Sequence, residues 1–240
     1  MNINLNNGTI LNYSHVVEDA LYNLPGTLVT QDSVKVRFTN TTDEALQVKG
    51  ILYHRDGRIL GNADAVIIEE LAPHATSELS ILDFETQFES EPWISRARLV
   101  ITQPTDGLKL MGLIESHETG TVANASAVGK NRIFNVPPPG NFDKGWIRLI
   151  NTTADTIPEI RCTLYHRDGQ ILGTANSVLV ENLAADSSVA ISQSMIAEAI
   201  GTEPWTARAT LEITAPGVEL MLMIRSPSGT LTNLSGALEK

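Results

Sequence analysis

One cysteine in 240 residues, Cys162, excludes an intramolecular disulfide, so stability has to come from apolar cores. Basic residues are also scarce, 17 against 28 acidic ones. The resulting formal net charge of -11 repels phosphate backbones and anionic lipid, which argues against nucleic acid and membrane surfaces as partners. No apolar run approaches the roughly 20 residues of a membrane helix, so membrane insertion is not expected and a soluble chain is. The opening MNINLNNGTILNYS lacks the basic start, continuous apolar stretch and small-residue cleavage site of a secretory signal. Aromatic residues make up 5%, whereas Thr, Ser, Asn, Val, Ile and Leu are plentiful, a mixture that suits many short strands joined by turns.

What the chain does have is internal repetition. LYHRDGRILGNA, starting at Leu52, returns as LYHRDGQILGTA from Leu164, and EPWISRARLVIT, starting at Glu91, returns as EPWTARATLEIT from Glu203. Tyr53 and Tyr165, and Trp93 and Trp205, share one offset of 112 positions. RFTNTT from Arg37 matches RLINTT from Arg148, and LKLMGLIES matches VELMLMIRS. A duplicated domain accounts for all of these matches.

Within each copy the hydrophobic period is two. Ala209, Leu211 and Ile213 alternate with Arg208, Thr210 and Glu212; Ala97, Leu99 and Ile101 take the same places in the first copy. Val34, Val36 and Phe38 alternate with Lys35 and Arg37, and Leu108, Leu110 and Ile114 oppose Lys109 and Glu115. Each set marks a half-buried strand. Helical spacing is weak and confined to about 83–89, 192–200 and 15–22. Asp-Gly inside LYHRDGRILG predicts a hairpin with a two-residue turn. Seven or eight short strands per copy follow, and the expected fold is all-β: two tandem antiparallel immunoglobulin-like β-sandwiches. Residues 33–127 and 145–240 would be the two domains, 128–144 a semi-rigid Pro-rich linker containing PPP, and 1–32 an N-terminal extension.

TLYHRDGQILGTAN, preceded by an NTT turn, resembles the LYxxDGxxLG hairpin of bacterial extracellular immunoglobulin-like modules of the FxLYD type. The resemblance covers about one hairpin per domain, and it implies a binding or structural module at the cell surface or outside the cell.

The polar motifs have competing readings. HRD at 54–56 and 166–168 echoes a kinase catalytic loop, but Gly follows at once and no phosphate loop accompanies it, which favours a hairpin tip. His54 and His166 lack neighbouring ligands at metal spacing, so neither a metal nor any other cofactor is expected. With Arg55 and Arg167 they are candidates for surface contacts. Trp93 and Trp205 are further candidates, as sugar-stacking platforms, with core packing as the alternative and Arg96 and Arg208 as covers for the rings. Cys162, flanked by Ile160 and Leu164, reads as a small buried hydrophobe where the first copy has Gly50. Met111, Met221 and Met223 lie opposite the main apolar stripe, which suggests that this face is covered too. Asn-x-Ser/Thr triplets at Asn7, Asn12, Asn40, Asn124, Asn151 and Asn233 would be glycosylation acceptors in a eukaryotic secreted chain; turn hydrogen bonding explains them equally.

GTxxNxS occurs three times, as GTILNYS from Gly8, GTVANAS from Gly120 and GTLTNLS from Gly229, although the bodies number two. YNLPG from Tyr22 likewise matches FNVPPPG from Phe134. The first 32 residues therefore copy a terminal strand plus the following connection. The expectation is a non-enzymatic structural subunit that assembles head-to-tail with copies of itself into an extracellular filament or surface array. Thr9, Ile10, Leu11, Tyr13, Tyr22, Leu24, Leu231 and Leu234 are its candidate interface residues, and pairing of the N-terminal segment with its own first domain is the competing possibility. An adhesion module holding a glycan or another surface protein is the alternative function. A scattered hydrolase site is disfavoured, because both copies share the same polar signatures.

Overall fold

The structure is a computed structural model that describes residues 2–4, 10–12, 15–29, 31–104, 106–140 and 144–235. It is all-β with two short helices, and the chain divides into two compact units, Met1–Ser126 and Ala127–Lys240. At the start, β1 (Asn2–Asn4) and β2 (Ile10–Asn12) form a two-stranded antiparallel hairpin.

The first unit continues with β3 (Ala20–Pro25), β4 (Asp32–Asn40), β5 (Leu46–His54), β6 (Ala65–Leu71), β7 (Thr76–Ser80), α1 (Ile81–Phe88), β8 (Arg96–Gln103), β9 (Leu108–Ser116) and β10 (Val122–Asn124). Two antiparallel sheets result, ordered β3-β8-β5-β6 and β10-β9-β4-β7. The second unit repeats the plan with β11 (Arg132–Val136), β12 (Lys144–Asn151), β13 (Ile157–His166), β14 (Ile171–Leu183), β15 (Ser188–Ile191), α2 (Gln193–Ile200), β16 (Ala209–Thr214), β17 (Val218–Arg225) and β18 (Leu231–Asn233). Its sheets run β11-β16-β13-β14 and β15-β12-β17-β18.

The alternation read from sequence points inward as expected: Val34, Val36 and Phe38 are buried from β4, and Ala209, Leu211 and Ile213 from β16. In the second unit one apolar cluster draws on both sheets, joining Ile160, Cys162 and Leu164 to Leu149, Leu220 and Leu222. That is a sandwich-like arrangement, each sheet hiding one face against the other. In the first unit Leu21 of one sheet reaches the backbone of Gly112 in the other, where a Cβ would lie 3.5 Å from its methyl. Met111, Met221 and Met223, on the opposite strand face, are buried as well, at 4%, 1% and 6% exposure.

Both helices start on a serine. Ser80 caps α1 through the Asp83 backbone, with Asp83 accepting in return from the Ser80 N–H at 2.7 Å; Ser192 caps α2 through Met195. Phe84 and Phe88 of α1 are fully buried, and Phe84 packs on Phe38 with ring centroids 6.3 Å apart. Burying each ring contributes about 2 to 3 kcal/mol.

Three expectations need correction. Residues 15–22 are not helical: β3 begins at Ala20, preceded by an isolated bridge from Val17 to Leu110. The stretches read as extension and linker contain the first strands of the two bodies, since β3 pairs with β8 and β11 pairs with β16. Burial explains this, because Leu21, Leu24, Ile133 and Val136 supply apolar side chains that each body needs. The HRDG turn is also longer than two residues. His54 N–H donates to Arg58 O and Gly57 N–H to His54 O, with positive φ at Gly57 and Asp56 on the ordinary side. A three-residue loop with glycine at its last position satisfies the same sequence signal.

Candidate functional site

Where repeated polar letters survive in both copies, the question is whether they converge on a site or hold the backbone. Asn40 and Asn151 hold it. Each closes β4 or β12, and the chain must turn there with its carbonyls partly sealed from water. Asn40 is 1% exposed and Asn151 fully buried. The Asn151 amide donates to Asp155 O at 2.7 Å, Leu183 O at 3.1 Å and Ala184 O at 2.9 Å, while its Oδ1 accepts from Thr153 N–H and Thr153 Oγ1–H at 2.9 and 2.8 Å. Asn40 repeats the pattern with Glu44, Leu71, Ala72 and Thr42. Thr41 and Thr152 complete the corner by donating to Gly107 O and Gly217 O. These amides have no free hydrogen for a glycan bond.

The Asn-x-Ser triplets near the ends of the bodies form a second clasp. Asn124 Nδ2 donates to His15 O at 2.8 Å, Ser126 N–H donates to Asn124 Oδ1, and Gly112 N–H donates to Ser126 Oγ at 2.9 Å. In the second unit the same roles fall to Asn233 on Ala127 O, Ser235 N–H on Asn233 Oδ1, and Leu222 N–H on Ser235 Oγ. The clasp therefore ties the last strand of each body to the segment that enters it. Asn12 belongs to β2, and Asn7 lies outside the described residues.

At the hairpin tips His54 and His166 are half-buried, and Arg55 and Arg167 exposed. Each histidine Nδ1 lies 2.9 Å from the aspartate two residues on, Asp56 or Asp168. His54 Nε2 is 3.1 Å from Ile94 O, which fastens the tip to the EPW turn. Burial opposes ionisation of Asp56 but is outweighed by hydrogen bonds from His54 and the Arg58 N–H and by the neighbouring positive charges, leaving its pKa below the usual value. Asp168 is lowered mainly by the Gln170 N–H, then by His166. Both aspartates thus serve as ionised turn acceptors, a role that needs no substrate.

Trp93 and Trp205 are 2% and 5% exposed, so neither indole presents a face to a sugar. They were candidates for surface contact; the packing alternative describes their position, because the apolar ring contributes more inside a body than at its rim. Among the described residues neither buried indole N–H has a hydrogen-bond partner. The two arginines after EPW do other work: Arg96 Nη2 reaches the Asp32 carboxylate at 3.2 Å, and Arg208 Nη1 donates to Asn135 O at 2.9 Å. Cys162 is fully buried, and burial pushes its thiol up to about 11.

The candidate interface residues separate into groups. Leu24 is buried inside the first body and Tyr22 is half-buried on the same strand. Leu231 and Leu234 sit in and beside β18, 7% exposed and half-buried respectively. Ile10 and Leu11 are in β2, and Thr9 and Tyr13 lie outside the described residues.

Among the described residues no three His, Cys, Asp or Glu side chains gather as a metal cluster, and no helix is long and apolar enough to cross a membrane. A shallow hollow of about 140 Å³ on the first unit is lined by Lys35, Arg37, Glu78, Leu113 and Glu115. Its opposite charges partly neutralise each other, as in the Arg37–Glu78 pair at 2.6 Å. No protein-family description, curated protein or solved structure matches this chain.

Proposed function

We propose that this chain is a non-enzymatic structural subunit of two immunoglobulin-like bodies that assembles head-to-tail with copies of itself at the cell surface or outside the cell. The observation that carries this reading is the count of closing strands. GTxxNxS ends each body and is clasped there by its Asn and Ser, yet the chain contains a third copy, GTILNYS, ahead of the first body. The repeated polar motifs support the same conclusion, because NTT, HRDG and NxS are engaged in turns and clasps in both bodies. Heterologous contact through a repeated segment propagates from copy to copy and yields a filament wherever its rotation does not close a ring.

Light scattering across a concentration series tests the proposal. The full chain should form concentration-dependent polymers, and deletion of residues 1–14, which leaves β3 in place, should return folded monomers. A full chain that stays monomeric at every concentration, or polymers unchanged by the deletion, would refute it.

A further inference from the structure

The N-terminal hairpin is a register-matched copy of the hairpins that close both bodies. In β1–β2, Asn2 faces Asn12, Ile3 faces Leu11 and Asn4 faces Ile10. In β9–β10, Leu113 faces Asn124, Ile114 faces Ala123 and Glu115 faces Val122. In β17–β18, Met223 faces Asn233, Ile224 faces Thr232 and Arg225 faces Leu231. The motif Asn stands at the same rung in all three, and an isoleucine occupies the middle rung of all three first strands. The sequence agrees: NINLNNGTILN and MIRSPSGTLTN run without a gap, so the chain carries a spare closing hairpin and not merely a spare strand.

Three rungs and the Asn233–Ser235 clasp hold β18, on the edge of a four-stranded sheet, and GTILNYS carries the same Asn and Ser. β2 is likewise held by three rungs, to β1, and lies beside the edge strand β10 without joining its sheet; a two-stranded hairpin is marginal in water. A segment that can be exchanged for an identical element of another copy forms the same contacts in the exchanged state, so assembly has little to overcome beyond association itself.

Resting on the self-assembly reading above, we infer that the contact between copies is a strand exchange: Ile10–Asn12 of one chain replaces Leu231–Asn233 on β17 of a second copy. Asn12 then stands opposite Met223 and Ile10 opposite Arg225. Relative to the displaced strand, Leu231 and the exposed Thr232 give way to Ile10 and Leu11. The displaced strand keeps the advantage of its short tether, which sets a millimolar-scale effective concentration that the neighbour has to match. The exchange is thus concentration-dependent, as a polymerising contact requires.

Cysteine pairing across the rungs of Met223 and Arg225 tests the assignment. Leu234 N–H donates to Leu222 O, which makes the rungs of Met223 and Arg225 the closely spaced, non-hydrogen-bonded ones where a disulfide fits. Singly substituted chains, Asn12→Cys and Met223→Cys, are mixed in equal amounts, oxidised and resolved without reductant, with Ile10→Cys and Arg225→Cys as a second pair should the Met223 change impair folding. The expected product is a mixed dimer whose linked peptides contain residues 12 and 223, or 10 and 225; buried Cys162 stays reduced. If the unsubstituted chain polymerises but neither mixed dimer forms, strand exchange is overturned while self-assembly stands. If the unsubstituted chain never polymerises, both are overturned.

Discussion

Replacing Asn151 with alanine should cost the second body a large part of its stability, because one side chain there serves three carbonyls and two donors at once. Leu183 O is in the buried part of the corner, and leaving it without a donor costs about 1 to 3 kcal/mol. The bonds to Asp155, Ala184 and Thr153 lie nearer the surface, where water can substitute, and their loss adds about 0.5 kcal/mol each. The sum is about 3 to 5 kcal/mol against the roughly 5 to 15 kcal/mol that holds a domain together. With a urea dependence of about 1.5 kcal/mol/M, the unfolding midpoint should fall by about 2 to 3 M.

Cys162 makes the assay specific to this body. Its thiol is fully buried, and with a pKa of about 11 only about one in ten thousand is ionised at pH 7, so a thiol reagent reads unfolding of the second body directly. Asn151→Asp separates hydrogen bonding from packing. Aspartate has nearly the same shape and keeps the acceptor for Thr153, but it offers carboxylate oxygens to three carbonyls in place of two N–H donors. It should therefore destabilise at least as much as alanine. If Asn151→Asp is tolerated, or if Asn151→Ala moves the midpoint by less than about 0.5 M, the corner is not held in the way argued here.

Two glycines of the second body give a further contrast by the same assay: both have positive φ, but a Cβ on Gly173 would sit 2.3 Å from Ile200 O at the end of α2, while one on Gly169 would meet nothing within 4 Å. Gly169→Ala should cost about 1 to 2 kcal/mol of backbone strain, and Gly173→Ala distinctly more; equal losses would remove the close approach as a cause. Acid should weaken the fold through Asp56, Asp83 and Asp168, all held below their ordinary value of 3.8, Asp83 by hydrogen bonds from the Ser80 hydroxyl and N–H. Since the folded pKa values are depressed, their contribution is fully present above the unfolded value and is lost as pH falls through the folded ones. Urea midpoints measured from pH 5 down to pH 2.5 should decline less steeply in Asp83→Asn than in the unmodified chain, and parallel slopes would contradict the assignment.

The duplication and the inward-facing residues of β4, β8 and β16 were legible because period-two alternation and a fixed offset are properties of letters alone. Residues 15–22 misled for a specific physical reason. Leu21 pairs with Leu99 and Leu24 with Ala97, three steps on one strand against two on the other, so a β-bulge inserts an extra residue. Leu21 and Leu24 then both face inward, at a three-residue spacing that imitates a helix. The equivalent bulge separates Ile133 from Val136, and there the neighbouring prolines encouraged reading a strand as a linker. The clasp was half legible: Asn-x-Ser stood out as a triplet, but its partners, His15 O and Ala127 O, are backbone atoms more than 100 residues away and carry no letter of their own.

Divergence between the copies points in the same direction as their shared letters. Asn40 and Asn151, Gly61 and Gly173, and Ser126 and Ser235 persist where a hydrogen bond or a close backbone approach allows little else. Exposed positions differ: Leu82 and Ile94, at 63% and 69% exposure, stand where the second body has Ser194 and Thr206, both exposed. Bodies that share a plan but differ inside as well as outside, with Phe38, Phe84 and Phe88 of the first where the second has Leu149, Ile196 and Ile200, give a chain unlike ends, and a head-to-tail contact needs unlike ends. Under the proposed strand exchange, the closing hairpin copied ahead of the first body is the matching part, because its rungs repeat the register of those on the second body.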